Sequence, residues 1–255
     1  MTLRQHELGG LAWPDVRERP MVIVPIGSTE QHGPHLPLNT DTVVATAVSE
    51  AVATRIGDHV LVAPPVSYGS SGEHQSFAGT ASIGSAALTF LVIELVRSLS
   101  TWAGRIIFIN AHGGNVAGLS KAVRQLVAEQ HDIAWLPCVA EGSDLHAGRM
   151  ETSLILHLKP DTVRLERSTA GHIGPLPDIL PQLKAGGVSA VSPSGVLGDP
   201  TGASAAEGLR LLGQMADDAR RRISDGVTDR NGMLTLNSAL ATPQTHSPQA
   251  PGDWA

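Results

Sequence analysis

Four short stretches of the chain are continuously apolar, and each ends next to Pro, Asn or Gly. Uninterrupted apolar runs of this length are typical of strands that are covered on both faces, as the interior strands of a parallel sheet are. The four predicted strands are residues 21–26, 59–63, 105–109 and 133–136.

The segments around these strands have the spacing of amphipathic helices, with apolar residues every three or four positions. The predicted helices are residues 41–55, 86–102, 116–130, 151–158 and 203–223. Ser204 is expected to be the N-cap of the last one, because Glu207 follows three residues later. The alternation of strands and helices predicts an α/β fold, a three-layer α/β/α sandwich with a mostly parallel central sheet. In such folds the functional sites lie at the carboxyl ends of the strands.

A chain of 255 residues is long enough for one enzyme-sized core. We predict a single domain over residues 1–236. Residues 171–187, which contain three prolines, are expected to be an excursion over its surface. Residues 237–255 are rich in Pro, Ser, Thr and Gln and are predicted to be a disordered tail.

Charge and composition argue against several classes of partner. The net charge is −6 with scattered basic residues, so nucleic-acid binding is not expected. The longest apolar stretch, residues 86–96, contains Glu94 and has about half of the ~20 residues that a membrane span needs. The N-terminal residues lack the apolar core of a secretory signal, which favours a cytoplasmic protein. Because Cys138 is the single cysteine, any metal site must use histidines and carboxylates.

The loop after the first predicted strand is rich in metal-ligand side chains. Glu30 and His32 are two positions apart, so they point the same way if the segment is extended. Asp41 follows at the start of a helix. Taken singly, Asp41 is also a good helix N-cap and His32 an ordinary loop histidine, but their density favours a shared metal centre.

Two further segments carry similar chemistry. Residues 112–115, HGGN, follow the third strand, and their glycines allow close approach to a ligand at a helix N-terminus that attracts anionic groups. His146 and Glu151 lie at the start of a short helix. Taken singly, His146 could be a surface histidine and Glu151 a first-turn acid that the helix dipole stabilises.

Together these segments supply Glu, His and Asp ligands without sulfur. That mixture suits two divalent ions, Zn²⁺, Fe²⁺ or Mn²⁺, bridged by a carboxylate and a water. A water held between two cations loses a proton near neutral pH and attacks a carbonyl that one ion polarises. The residues therefore predict a metal-dependent hydrolase of amide or peptide bonds.

The same segments resemble the creatininase family of metal-dependent amidohydrolases. The resemblance is carried by STEQHGPHLP at 28–37 with Asp41, by NAHGGN at 110–115, and by HAG and ETS at 146–148 and 151–153, within about residues 11–223. It implies that Glu30, Asp41 and His112 hold one ion. It also implies that His32 and Asp41 hold the other, with Asp41 as the bridge, and that the chain forms homo-oligomers, commonly hexamers.

Two departures from the creatinine hydrolases of this family affect the interpretation. Those enzymes carry a further metal-binding glutamate at the position of Gly114, so Glu151 is our candidate to complete the second site. Residues 139–149 contain no aromatic side chain of the kind that holds the creatinine ring, which disfavours creatinine. His146 matches a family histidine assigned to proton transfer, so it is expected to be the general acid. Glu151 is expected to be a second catalytic residue.

Arg149, residues 71–74 and residues 192–207 resemble the branch of the family that serves mycofactocin maturation. Members of that branch are peptidases that remove a C-terminal Val-Tyr dipeptide from a modified precursor peptide, which implies a peptide substrate here. The alternatives are another amidohydrolase of the family, such as a formylamino-pyrimidine deformylase or a creatinine-type enzyme, and a non-catalytic scaffold of the same pathway. The expected substrate-binding residues are Ser71, Glu73, His74, Gly113, Gly114, Asn115 and Arg149.

Overall fold

The centre of the molecule is a sheet of four parallel strands in the order β2-β1-β3-β4. The computed structural model describes residues 6–140 and 142–236. The strands are β1 Met21–Ile26, β2 Val60–Val62, β3 Arg105–Asn110 and β4 Ile133–Pro137. Each coincides with a predicted apolar run to within a residue, and nearly all their side chains are buried because both faces of the sheet are covered.

Helices cover both faces of this sheet. One face carries α1 Thr40–Ile56, α4 Arg149–Leu158 and α6 Ala205–Asp225, and the other carries α2 Gly84–Leu99 and α3 Val116–Ala128. Successive residues of β1 show the division, because Ile23 packs in the first core while Val22 and Val24 pack in the second. The predicted three-layer α/β/α sandwich is confirmed.

The N-terminus of α6 is capped as the sequence predicted. The Ser204 hydroxyl accepts a hydrogen bond from the backbone N–H of Glu207 at 3.2 Å. The Glu207 carboxylate in turn accepts from Arg149 Nε at 2.8 Å and from the Ser153 hydroxyl at 3.0 Å. This cap therefore also ties α6 to the start of α4.

Residues 171–187, expected to be an excursion over the surface, are mostly exposed or partly buried, but they include the start of a helix that the sequence analysis did not predict. A helix, α5, runs from Leu176–Val191, contains Pro181 and kinks at Gly187, whose φ is +68°. Proline and glycine inside a helix interrupt the signals that predict one. α5 packs on a short 3₁₀ turn, Gly72–His74, next to the candidate site described below.

A small hairpin, β5 Val227–Thr228 and β6 Leu234–Thr235, follows α6. Its Gly232 carbonyl accepts a hydrogen bond from the backbone N–H of Trp135 on β4 at 3.1 Å. The predicted tail, residues 237–255, lies outside the described residues, and the single domain over 1–236 stays a prediction. Within the described ranges, no helix is both long enough and apolar enough to cross a membrane.

Candidate metal centre

The candidate centre lies at the carboxyl ends of β1 and β3, which are neighbours in the sheet and pair as far as Ile26 and Asn110. Glu30 follows β1, and its backbone N–H donates to the Leu38 carbonyl at 3.0 Å, so the loop folds back over the end of the strand. His112 follows β3. The side chains that sequence analysis assigned to three separate segments therefore meet at one edge of the sheet, as expected.

Glu30 is the most unusual side chain in this cluster. It is 0% exposed, and neither carboxylate oxygen has a hydrogen-bond partner among the described residues. Its nearest polar neighbours are imidazole nitrogens: His112 Nε2 at 3.2 Å, His74 Nε2 at 3.3 Å and His146 Nδ1 at 3.8 Å. A buried carboxylate without hydrogen bonds is costly unless a cation balances it.

Asp41 lies between two histidines. Its Oδ1 is 3.0 Å from His32 Nε2, and its Oδ2 is 3.3 Å from His112 Nδ1 and accepts from the Ser28 hydroxyl at 2.7 Å. The alternative role of Asp41 as an N-cap is not realised, because α1 begins at Thr40 after the N-cap Asn39. Each oxygen of Asp41 is thus directed at a different potential metal ligand.

Backbone carbonyls set the orientation of the two candidate metal-binding imidazoles. His32 Nδ1 lies 3.2 Å from the Glu30 carbonyl oxygen, and His112 Nε2 lies 2.9 Å from the Ser70 carbonyl oxygen. With N–H groups donated there, the neutral rings have their lone pairs on His32 Nε2 and His112 Nδ1, the two atoms that face Asp41.

Gln31 organises the other two histidines, a role that the sequence analysis missed. Its side-chain NH₂ donates to the Gly195 carbonyl at 3.0 Å and to His74 Nδ1 at 2.8 Å. Its backbone carbonyl accepts from His146 Nε2 at 2.9 Å. This assignment satisfies those three hydrogen bonds and leaves the lone pair of His146 Nδ1 facing Glu30. His74 Nε2–H lies near Glu30 without the alignment of a hydrogen bond. Gln31 Nε2 and His146 Nε2, 3.1 Å apart, are then both donors and do not bond to each other.

The other expected acids lie on different sides of the cluster. Glu151 Oε2 accepts from the Ala147 backbone N–H at 2.6 Å and is 3.9 Å from His32 Nε2. Glu73 Oε1 is 3.8 Å from His112 Nε2 and 4.0 Å from His74 Nε2. Glu151 therefore borders the side of the centre that holds His32, and Glu73 borders the side that holds His112.

The remaining expected substrate-binding residues surround this cluster at different depths. The Ser71 hydroxyl is 3.4 Å from His112 Nε2. Gly113 and Gly114 open a 3₁₀ turn before α3. Asn115 is buried and joins the loops, since its Oδ1 accepts from the Ser70 N–H and its Nδ2 donates to the Gly27 carbonyl, each at 2.9 Å. Arg149 lies outside the cluster, where its exposed side chain is paired with Glu207.

Burial and mutual charge shift the pKa values of the cluster strongly. Burial raises the pKa of Glu30 to about 7, against the opposing charge of His112, and it likewise raises that of Glu151 to about 7. Burial alone would lower the pKa of His32 and His112, but the charges of Asp41 and Glu30 outweigh it and raise both to about 10. Shifts of this size are typical of functional sites.

The other buried members of the cluster shift in the opposite direction. Burial and the charge of His112 lower the pKa of His74, and burial and the charge of His32 lower that of His146. Burial opposes ionisation of Asp41, yet His32 and His112 hold its pKa well below the usual value. Asp41 is therefore a carboxylate throughout the physiological range, and His74 and His146 are neutral.

The donor set fits divalent cations. Two ligand atoms that each lie about 2.0–2.2 Å from one ion are at most about 4.4 Å apart, and the separations around Glu30 and Asp41 satisfy that limit. Among the described residues, three overlapping sets of potential ligands have all their ligand atoms within 4.8 Å of one another: Glu30, His74 and His146; His32, His146 and Glu151; Glu30, His32 and Asp41. His112 is not in these sets; its Nε2 is 3.2 Å from Glu30 and its Nδ1 is 3.3 Å from Asp41.

Comparison with known proteins identifies the family to which the chain is similar. The chain matches the family model described as creatininase, creatinine amidohydrolase, over residues 10–223. It is 54% identical over 223 residues to the mycofactocin precursor peptide peptidase of Mycobacterium ulcerans (strain Agy99), which covers 85% of this chain and 89% of that protein.

Two solved structures share the fold at lower identity. One is titled creatininase Mn, with 30% identity and a TM-score of 0.67 over 84% of this chain and 97% of that one. The other is a mutant creatininase of Zn-Zn type, with 29% identity and a TM-score of 0.68 over 84% and 96%.

The chain belongs to the creatininase family, as the sequence motifs implied. It is a hydrolase that acts on C–N bonds, and its centre of Glu, His and Asp side chains is suited to metal ions of the kind named in the creatininase structures.

Proposed function

We propose that this protein hydrolyses a peptide bond of the mycofactocin precursor peptide and releases its C-terminal Val-Tyr dipeptide. The observation that carries the hydrolytic mechanism is the unpartnered, fully buried carboxylate of Glu30 beside Asp41, whose two oxygens face two different histidines. The substrate follows from the relative at 54% identity, which is named for that peptide.

The centre is proposed to hold two divalent ions, for which Zn²⁺, Fe²⁺ and Mn²⁺ are all suitable with oxygen and nitrogen donors. Glu30, Asp41 and His112 would hold one ion. His32 and Asp41 would hold the other, with Glu151 as the nearest further carboxylate on that side. When bound, the ions supply an activated water and a polarised scissile carbonyl.

His146 is proposed to carry a proton to the leaving nitrogen. Its Nε2–H is held by the Gln31 carbonyl, so Nδ1 is the atom that takes up and delivers the proton. Burial and the charge of His32 lower the pKa of His146. A proton on Nδ1 is therefore released readily to a basic leaving amine.

The substrate is proposed to approach along the polar residues around the cluster. The backbone of Gly113 and Gly114 begins the turn that leads into α3, where N–H groups can bind a carbonyl or an anionic group. Ser71 is close enough to contact a bound peptide. Arg149 is farther out, so its contribution would be at the rim and would compete with its ion pair to Glu207.

Removal of metal provides the test of this proposal. Protein stripped with a chelator should lose cleavage of the precursor peptide and recover it with Zn²⁺, Fe²⁺ or Mn²⁺, and mass spectrometry should show the Val-Tyr dipeptide. Full activity of stripped protein with no residual metal would contradict the mechanism. Loss of formate from a formylamino-pyrimidine nucleotide, without peptide cleavage, would show a deformylase instead.

We also propose that the chain forms a homo-oligomer such as a hexamer. The support from the structure is a set of large apolar side chains left on the surface: Trp13 is 87% exposed, Phe90 68% and Tyr68 56%. Light scattering of the purified protein should give a mass several times 26.6 kDa. A monomeric mass at micromolar concentration would contradict this assembly.

A further inference from the structure

A polar cavity of about 480 Å³ lies beside the candidate centre, between the 3₁₀ turn Gly72–His74 and the second half of α5. Glu73 forms its inner wall, and the same carboxylate is 3.8 Å from His112 Nε2. Ser70, another wall residue, holds His112 through its carbonyl. The cavity and the centre therefore share a wall.

The lining of this cavity includes both an acid and a cation. Glu73 is the acid on the wall that faces the histidines, and Lys184 of α5 is the one cation among the described lining residues. Lys184 is exposed and makes no ion pair within the described ranges. Ser70, Ser76 and Ser85 are further polar residues of the lining.

Gly187 fixes the distance between α5 and the centre. Its φ of +68° kinks the helix, and a Cβ atom at this position would lie 2.6 Å from the Glu73 carbonyl oxygen. Any other residue would push α5 away from the Gly72–His74 turn. The glycine therefore holds the helix segment that carries Lys184 against the turn that carries Glu73.

We propose that this cavity binds the two residues on the leaving side of the scissile bond, with Lys184 binding the C-terminal carboxylate of the peptide. The inference rests on the proposed release of a C-terminal dipeptide. The new amino group forms at the metal centre and lies beside Glu73, whose negative charge suits an ammonium group. The terminal carboxylate lies about 7 Å farther along an extended dipeptide, on the side of Lys184.

The dimensions and chemistry of the cavity agree with that occupant. Ligand pockets commonly have about 300–1,000 Å³, and a cavity of about 480 Å³ is within that range. A second cavity, of about 570 Å³, is lined by Arg149 and Arg210, but both guanidinium groups there are directed at Glu207. Lys184 is thus the cation that remains available for a carboxylate.

The test compares two precursor peptides that differ only in a free or an amidated C-terminus. Wild-type enzyme should cleave the free acid with a kcat/KM about tenfold higher than that of the amide, mainly through KM. Lys184→Gln should lose that preference and cleave the amide at the wild-type rate. Lys184→Arg should keep most of the preference, and Lys121→Gln, which changes an exposed lysine on α3, should behave as wild type.

Equal cleavage of the two peptides by the wild-type enzyme, or an unchanged preference in Lys184→Gln, would overturn the inference. A second measurement, the binding of free Val-Tyr dipeptide to the metal-loaded protein, tests the role of Lys184 independently of peptide cleavage. If neither peptide is cleaved, the proposed function fails. In that case, dipeptide binding that is about tenfold weaker in Lys184→Gln than in wild type would still support the cavity as the dipeptide site. Equal binding by the two proteins would reject it.

Discussion

The interior of the sheet and the candidate metal centre are buried to a similar degree, but the first consists of apolar side chains and the second of ionisable ones. Ile107 and Phe108 of β3 are 0% exposed and pack in the apolar cores on the two faces of the sheet. Glu30, only a few residues beyond the end of the neighbouring strand, is also 0% exposed but has no hydrogen-bond partner among the described residues. Burial stabilises the fold in the first region and costs free energy in the second.

This difference indicates that the apolar sheet provides the folding stability that holds the centre together. Each large apolar side chain that is buried contributes roughly 1.5–3 kcal/mol. The carboxylates and imidazoles of the centre are held together against their desolvation cost, in an arrangement that a cation would stabilise. Substitutions in the two regions should therefore separate metal binding from folding stability.

The largest expected effect is that of Asp41→Ala. Because Asp41 faces both His32 and His112, its loss should remove both ions and lower kcat/KM about a thousandfold or more. Elemental analysis and steady-state kinetics measure the two effects. Asp58→Ala is the matched control, since Asp58 is exposed and its nearest cation, Arg17, is 3.8 Å away. Retention of both ions by Asp41→Ala would refute its bridging position.

His146→Ala should lower kcat by about a hundredfold and leave the metal content unchanged. The reason is that His146 is assigned to proton transfer, while Glu30, Asp41 and His112 are assigned to the metal. Stopped-flow kinetics with metal analysis of the same sample checks both points. If the variant lost as much metal as Asp41→Ala, His146 would have to be reassigned as a ligand.

Phe108→Ala tests the other region. It removes a fully buried ring between α2 and α3 and should lower the free energy of unfolding by about 3–5 kcal/mol. The affinity for metal should stay within about twofold of wild type below the unfolding transition, because the Phe108 side chain belongs to the apolar core shared with α2 and α3 and not to the cluster of ligand side chains. Urea denaturation and metal titration of the folded protein provide the comparison. A large loss of affinity would show that the two regions are coupled.

Gln31→Ala should have the smallest of these effects. Gln31 makes no expected contact with metal, but its side chain fixes His74 and its carbonyl holds His146. Loss of the side chain should lower kcat about tenfold with metal content retained, as for other groups that orient ligands. Gln125→Ala, on the exposed side of α3, is the control. Wild-type kinetics for Gln31→Ala would show that its side chain is not needed to orient these histidines.

Much of this arrangement was accessible from the sequence because the relevant signals are local. The apolar runs define β1 and β3, and the loops that follow them must meet at one edge of a parallel sheet. That reasoning predicts from the sequence alone that four side chains lie close together: Glu30, His32, Asp41 and His112. It also placed the cap at Ser204, because capping depends on residues within one turn.

The parts that the sequence did not reveal depend on contacts between distant segments. Gln31 bonds to His74, which is forty-three residues away in the chain, and nothing about an isolated glutamine predicts that contact. His74 was expected to bind substrate, but the structure places it 3.3 Å from Glu30. α5 was missed because Pro181 and Gly187 interrupt its pattern, and the cavity next to it was missed for the same reason.

The most direct test of the two-ion centre is a calorimetric titration of metal-stripped protein with Zn²⁺ at several pH values. The pKa values of His32 and His112 are raised to about 10, so below that pH each must lose a proton to become a ligand. We predict two ions per chain, net proton release at pH 7.5, and an affinity that increases as the pH is raised from 6.5 to 8.5. Fewer than two ions per chain, or an affinity that does not change with pH, would contradict the account.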